Sequence, residues 1–219
     1  MPAGHDPNAF DFGSETAFRA LADAKLLSRD PAQNHAGFTP GDFDLNPDAA
    51  LLADPVAIPA AVLVPVLKRA ELTLLLTERT GHLTKHAGQI AFPGGRIEDT
   101  DRGSLEAALR EADEEVGLPK SHAEPLGFLE PYRTGTGFLV TPVVALVEPD
   151  FVIHPNPNEV ASVFEVPLSF LMNTGNHRID ARVWRGAKRR YYAMPYGERY
   201  IWGATAGIIR ALHRRLFLI

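Results

Sequence analysis

The spacing of apolar and polar positions along this chain switches between the period of a strand and that of a helix, and the switch points predict its elements. From Ala60 the run AAVLVPVL, a polar turn over residues 68–71 and then ELTLLLTER read as two strands. Pro65 falls inside the first of them and, having no backbone N–H, predicts an edge or a bulge there. A loop over residues 81–88 leads to the short apolar run 89–92, which Pro93, Gly94 and Gly95 break sharply. Residues 104–116 carry the helical period most clearly, with Ser104 as the expected N-cap, Gly117 as the residue that ends the helix and Pro119 as a further stop. Ala107 stands where a capping box would place Glu or Gln, so that reinforcement is missing.

Apolar runs at 125–129, 137–147 and 161–166 read as further strands, and Pro167 opens a short helix through Met172. Residues 179–184 and 190–194 read as a hairpin joined across Gly186, and 203–218 as a closing helix. Upstream, a helix around residues 15–27 precedes a stretch rich in Pro, Asn, Gly and Asp that runs to about Ala49. The division predicts an N-terminal extension over residues 1–50, packed on the main domain or partly disordered, and one domain over 51–219. Strands mixed with two substantial helices, without regular βαβ repeats, favour an α/β or α+β domain over a Rossmann arrangement.

Composition narrows the class of protein. The 45% hydrophobic content of these 219 residues supports a substantial core, and a net charge of −5 argues against a protein devoted to nucleic-acid backbones. There is no Cys, which removes disulfides, thiolate catalysis and Cys-based zinc sites, and fits a reducing, cytoplasmic setting. The start of the chain lacks the pattern of a secretory signal, and no window approaches the roughly 20 apolar residues that span a bilayer, so no membrane role is expected.

Candidate chemistry gathers on the 104–116 helix. On about 3.6 residues per turn, Leu105, Ala108, Leu109, Ala112 and Val116 form one apolar face, with Glu111 and Glu115 at its border, Glu114 beside Glu111, and Asp113 opposite. Like charges at this spacing repel, and a hard divalent cation with oxygen ligands would reverse that penalty. Arg110 has the geometry to orient a carboxylate. An ordinary solvated acidic face is the commoner origin of such a pattern, and paired glycines alone mark a turn. Their joint position, a short strand, then Gly94-Gly95, then the acidic helix, is more informative.

The segment resembles the Nudix box: Gly, five residues, Glu, seven residues, then Arg-Glu, an apolar residue, any residue, Glu-Glu, any residue, Gly and an apolar residue. Gly95 supplies the first position and Arg110, Glu111, Ala112, Glu114, Glu115, Gly117 and Leu118 the second half. Asp101 replaces the first Glu, and eight residues separate it from Arg110 where the pattern has seven. Both departures are similar to the coenzyme A pyrophosphatase branch. So is the upstream block Leu75-Leu76-Thr77-Glu78-Arg79-Thr80, Leu83, His86 and the run from Gly88 to Gly95; residues 134–142, 155–160 and 202–206 look like the same family. The resemblance covers roughly residues 58–215.

The resemblance implies a Nudix α/β/α sandwich around a mixed β-sheet, Mg²⁺ or Mn²⁺ held by Glu111 and Glu115 with Glu114 as third ligand or water-positioning group, and hydrolysis of coenzyme A or an acyl derivative to 3′,5′-ADP and the matching 4′-phosphopantetheine. Glu159 is the candidate base, against a loop acid that caps local backbone. Arg79, Lys85, His86, Gly94 and Gly95 are the candidate substrate contacts, and Lys188-Arg189-Arg190 an additional one for the extra phosphate of coenzyme A, with surface solubility the blander origin of that basic run. Tyr132, Tyr191, Tyr192 and Trp202 offer stacking faces, although aromatics in strands more often fill a core. A broader nucleoside-diphosphate hydrolase acting on NADH, ADP-ribose or dinucleotides, and a catalytically silent Nudix-like binding domain, are the competing readings. An RNA-end hydrolase finds little support in the net acidity, and a homodimer follows by family analogy alone.

Overall fold

The protein is described by a computed structural model over residues 10–33, 39–50, 57–81, 88–184 and 186–218. Lys85, His86 and Leu83 lie outside the described residues. In chain order the helices are α1 (Glu15–Lys25), α2 (Pro47–Ala50), α3 (Ser104–Val116), α4 (Leu168–Met172) and α5 (Ala204–Phe217). The strands are β1 (Ile58–Leu67), β2 (Thr73–Arg79), β3 (Ile90–Ala91), β4 (Gly94–Arg96), β5 (Ala123–Phe128), β6 (Tyr132–Arg133), β7 (Phe138–Val147), β8 (Val160–Pro167), β9 (Arg178–Trp184), β10 (Ala187–Tyr196) and β11 (Arg199–Trp202).

Among the described residues, β1 to β8 form one mixed sheet with the path β3-β2-β1-β7-β5, to which β4 adds at β1, β6 at β7 and β8 at β2. β1 and β7 run parallel over their whole length, from Ile58 opposite Phe138 to Leu67 opposite Val147. Both are apolar almost throughout because helices cover both faces of the sheet. Ala61, Leu63 and Leu67 point with Val143, Ala145 and Val147 at the small-residue face of α3, made of Ala107, Ala108, Ala112 and Val116. Ala60, Val64 and Val66 point the other way, into a larger core that α5, α4 and α1 close with Ile209, Leu212, Leu171 and Phe18. This is the α/β/α sandwich expected from the chain. A separate three-stranded sheet, β11-β10-β9, packs beside α5.

Three local expectations need correction. Pro65 lies at neither an edge nor a bulge: it is buried in a central strand, paired in register with Ala145. On the other side of β1 the ladder passes from β4, at residues 60–62, to β2, at 66–67, so the proline sits where that ladder is interrupted. Ser104 is the first residue of α3 and not its cap. Its N–H and hydroxyl donate to the two carboxylate oxygens of Asp30 at 2.8 and 3.1 Å, so a carboxylate 74 residues upstream satisfies the helix start. Gly94 and Gly95 do not turn; they form a strand against Val62 and Ala61.

The segment before β1 is tied to the sandwich at several points. Phe10, Phe12 and Phe217 meet edge to face. The Asp42 N–H donates to the Arg133 carbonyl at 3.0 Å, and the Tyr132 hydroxyl donates to Asp42 at 2.8 Å. Asn46 and the backbone of Arg190 exchange two hydrogen bonds of 2.8 Å each. No helix among the described residues is long and apolar enough to cross a membrane.

His213 of α5 is buried among His177, Phe217 and the rest of the core, and neither ring nitrogen has a hydrogen-bond partner among the described residues. Burial, with His177 and Arg210 adding repulsion, pushes its pKa down to about 4. The unfolded chain takes up this proton near pH 6.5 and the folded one does not, so the unfolded state binds more protons between these values and stability falls as pH drops through the window. Urea midpoints measured from pH 7 to 4 should show a loss of roughly 2–3 kcal/mol that is absent in His213→Leu; parallel curves for the two proteins would remove His213 as its source.

Candidate active site

α3 approaches β4 with no side chain between them on the glycine side. A Cβ on Gly95 would lie 2.3 to 2.8 Å from the carboxylate atoms of Glu111. The adjacent Gly94 N–H donates to Glu115 Oε2 at 3.3 Å. Glu115 is 3% exposed, and the nearest cation, Arg79, places Nη1 3.8 Å from its Oε1. Burial pushes Glu115 up to about 8, against the pull of Arg79 and with Glu111 and Glu159 pushing further. Glu111, half-buried, is raised by the same cause, with its bond to Arg110 opposing.

Arg110 organises this end of the helix. Its Nε and Nη2 grip both oxygens of Asp101 at 3.1 and 3.0 Å, while Nη1 donates to Glu111 at 3.0 Å and Glu114 at 3.2 Å. Asp101, held below the usual carboxylate range by this arginine, therefore anchors Arg110. Glu114 is the more exposed of the three, its side chain 58% exposed, and it neighbours Glu111 through the shared Arg110 Nη1. Glu159 is half-buried, receives a weak 3.5 Å bond from Asn156, and is close enough to act electrostatically on both Glu111 and Glu115.

A cleft of about 370 Å³ opens beside β4, lined by Arg79, Gly94, Gly95 and Arg96 from the mixed sheet, by Arg182 and Trp202 from the three-stranded sheet and by Asp42 from the segment before β1. Glu111 and Glu115 do not line it, but each abuts a residue that does: Glu111 lies against Gly95, and Glu115 lies 3.8 Å from Arg79. Among the described residues no group of three or more His, Asp or Glu side chains is gathered to hold a metal. What is present is an all-oxygen pair of carboxylates, one of them buried with an incomplete counter-charge, beside a strand stripped of side chains. That donor set fits a hard divalent cation that keeps waters or phosphate oxygens as its remaining ligands, and does not fit a metal that demands nitrogen or sulfur.

The sequence pointed to neither Asp42, Arg96 nor Arg182, and Trp202 only as a motif residue with packing favoured. Asp42 accepts from the Tyr132 hydroxyl and, at 2.7 Å, from the Gly135 N–H. The Arg182 guanidinium lies 4.2 Å over the Trp202 ring. Of the proposed stacking tyrosines, Tyr132 is buried, Tyr192 packs on the larger core, and Tyr191 tilts against Trp202 at 5.1 Å.

A mixed sheet between helices, with one buried and one half-buried carboxylate on a single helix beside an arginine-bearing cleft, makes a site suited to a hard cation and an anionic ligand. Residues 57–185 match the family described as the NUDIX domain. Over 153 residues the chain is 47% identical to the uncharacterized Nudix hydrolase NudL of Escherichia fergusonii and 46% identical to that of Escherichia coli K12, covering 70% of this chain and 80% of each relative. Among solved structures, DR0079 from Deinococcus radiodurans aligns over 72% of this chain and 86% of its own, at 14% identity and a TM-score of 0.47. The chain belongs to the Nudix family and is a Nudix hydrolase.

The two glycines differ in what replaces them. Gly95→Ala meets the movable end of Glu111, whereas a Cβ on Gly94 would lie 2.4 Å from the Ala61 carbonyl oxygen and 2.6 Å from Val62 Cα. Gly95→Ala should keep the melting temperature within a few degrees while reducing metal affinity about 10–100-fold. Gly94→Ala should lower stability by about 1–3 kcal/mol. Calorimetric metal titration alongside thermal melts distinguishes these effects, and equal loss of stability in both variants would contradict the assignment.

Proposed function

We propose that this Nudix hydrolase cuts the P–O–P bridge of a nucleoside-diphosphate derivative, with coenzyme A and its acyl thioesters as the substrates that the sequence favours. The observation that carries the reaction class is the buried Glu115, incompletely neutralised by Arg79, beside the Gly94–Gly95 strand and the arginine-bearing cleft. Glu111 and Glu115 would hold Mg²⁺ or Mn²⁺, which supplies an acidified water and charge neutralisation on the phosphates. Arg110, fixed by Asp101, keeps Glu111 aimed at β4. Gly95 leaves room for phosphate oxygens to approach the helix over the strand. Arg79 has a buried Nε without a hydrogen-bond partner among the described residues, which makes it a ready donor to a phosphate at the cleft end nearest the glutamates. Glu159 would accept the proton that the attacking water gives up, a role supported by its electrostatic action on both Glu111 and Glu115.

The coenzyme A reading rests on the resemblance of residues 75–95 and on the departures at Asp101, together with a cleft that extends well past the space a diphosphate fills. The broader reading, turnover of ADP-ribose, NADH or dinucleotides, shares every site residue and differs only in what the rest of the cleft accepts. A cytoplasmic, Cys-free enzyme of nucleotide metabolism, free to dimerise, is part of the same proposal.

Product-resolved turnover of coenzyme A, dephospho-coenzyme A, ADP-ribose and NADH with Mg²⁺ or Mn²⁺ tests both levels. Metal-dependent release of 3′,5′-ADP from coenzyme A, reduced at least about a hundredfold in Glu115→Gln, is the expected result. Better turnover of ADP-ribose or NADH would sink the coenzyme A reading alone, and a fully active Glu115→Gln would sink the assignment of the site.

A further inference from the structure

The three-stranded sheet carries a cationic arrangement that hydrolysis at Glu111 and Glu115 does not use. Arg182 on β9 and Arg189 on β10 are direct cross-strand partners, so their side chains leave the same face of the sheet. Like charges placed opposite one another destabilise a strand pair. Among the described residues neither arginine enters an ion pair that would relieve this. The neighbouring acid on that face, Asp180, is engaged by the Tyr200 hydroxyl at 2.5 Å.

Arg182 belongs to an edge strand and is exposed, so solvent is its default direction. Instead its guanidinium reaches diagonally across β10 to lie 4.2 Å over the ring of Trp202 on β11. Tyr191 tilts against the same indole at 5.1 Å. An arginine stacked on an aromatic face keeps its in-plane N–H groups free to donate, and its orientation is fixed before a ligand arrives. Arg182 and Trp202 both line the cleft, from a sheet separate from the one that carries Arg79, Gly94 and Gly95. The alternation of β10 also separates Arg189 from Lys188 and Arg190, which leave the opposite face.

We infer that Arg182, stacked on Trp202 and backed by Arg189, binds a second anionic group of the substrate, a phosphate monoester carried by the nucleoside portion remote from the scissile diphosphate. The inference rests on the proposed nucleoside-diphosphate chemistry for its substrate class, and on Arg182, Arg189 and Trp202 for its site. Such a contact makes the side of the cleft formed by the three-stranded sheet selective for nucleotides that carry an additional phosphate.

Equilibrium titration of the metal-free full chain with adenosine 3′,5′-bisphosphate and with AMP tests this without turnover. The wild-type protein should bind the bisphosphate at least about tenfold more tightly, as expected for a charge-assisted contact. Arg182→Gln should erase that preference while changing AMP affinity less than twofold. Trp202→Leu should reduce the preference by about fivefold through loss of the stack. Lys188→Gln, on the opposite face, should leave it intact. Equal affinities in the wild type, a preference that survives Arg182→Gln, or loss with Lys188→Gln in its place would overturn the inference. Because no hydrolysis is measured, an inactive enzyme that still shows the Arg182-dependent preference would defeat the proposed reaction and leave this site standing.

Discussion

The close approach of α3 to β4 is the constraint on which the rest of this site depends. It is possible because both surfaces are bare where they meet: Gly94 and Gly95 on the strand, Ala107, Ala108 and Ala112 on the helix face that packs against the sheet. A longer side chain at Gly95 would occupy the place of the Glu111 carboxylate. The same approach buries Glu115, and a buried carboxylate without full compensation favours its neutral form. On the proposed function, a divalent ion held by Glu111 and Glu115 would supply the counter-charge that Arg79 provides only in part.

The arginines divide according to whether their hydrogen bonds are already committed. Arg110 spends its donors on Asp101, Glu111, Glu114 and the Arg96 carbonyl, so it is part of the scaffold and fixes where the acids point. Arg79 has one distant contact to Glu115 and a buried Nε with no partner among the described residues. Arg182 has a ring beneath it and no ion pair among the described residues. In a cleft, uncommitted guanidinium groups are the ones available to anionic substrates, and these two enter it from different sheets.

What could be read from the chain followed the range of the interactions involved. α3, its apolar face and its Gly117 stop were legible because period and capping are encoded within about twenty residues. The neighbourhood of Glu115, Arg79 and Gly94 was legible only through motif spacing, since nothing in the local pattern says that a strand at 94–96 returns to the helix. The cap of α3 was misread because Asp30 supplies it from a distant segment, and Gly94–Gly95 looked like a turn because paired glycines usually mark one. Pro65 looked like an edge residue because the chain does not show that two different strands share one side of β1. Arg182 and Asp42 were invisible as cleft residues, because an arginine in an alternating hairpin and an aspartate in a polar stretch each have a common, unremarked surface role.

The distribution of the cleft wall bears on how substrates are told apart. Glu111, Glu115, Arg79 and the glycine strand lie inside the region that matches the family, residues 57–185. Asp42 comes from before it, and Trp202 and Ile208 from after it, on β11 and α5. These outer parts are mutually braced: Tyr132 bonds Asp42, and its hydroxyl passes so close to α5 that a Cβ on Gly207 would lie 2.1 Å from it. Asn46 holds the same segment to β10, which also pairs with the strands of Arg182 and Trp202. On the proposed function, the first set would serve bond cleavage and the second the shape of the rest of the cleft. A change in the segment around Asp42 would then reach the cleft through Tyr132 and β10 without touching the carboxylates, which separates substrate preference from the hydrolytic chemistry.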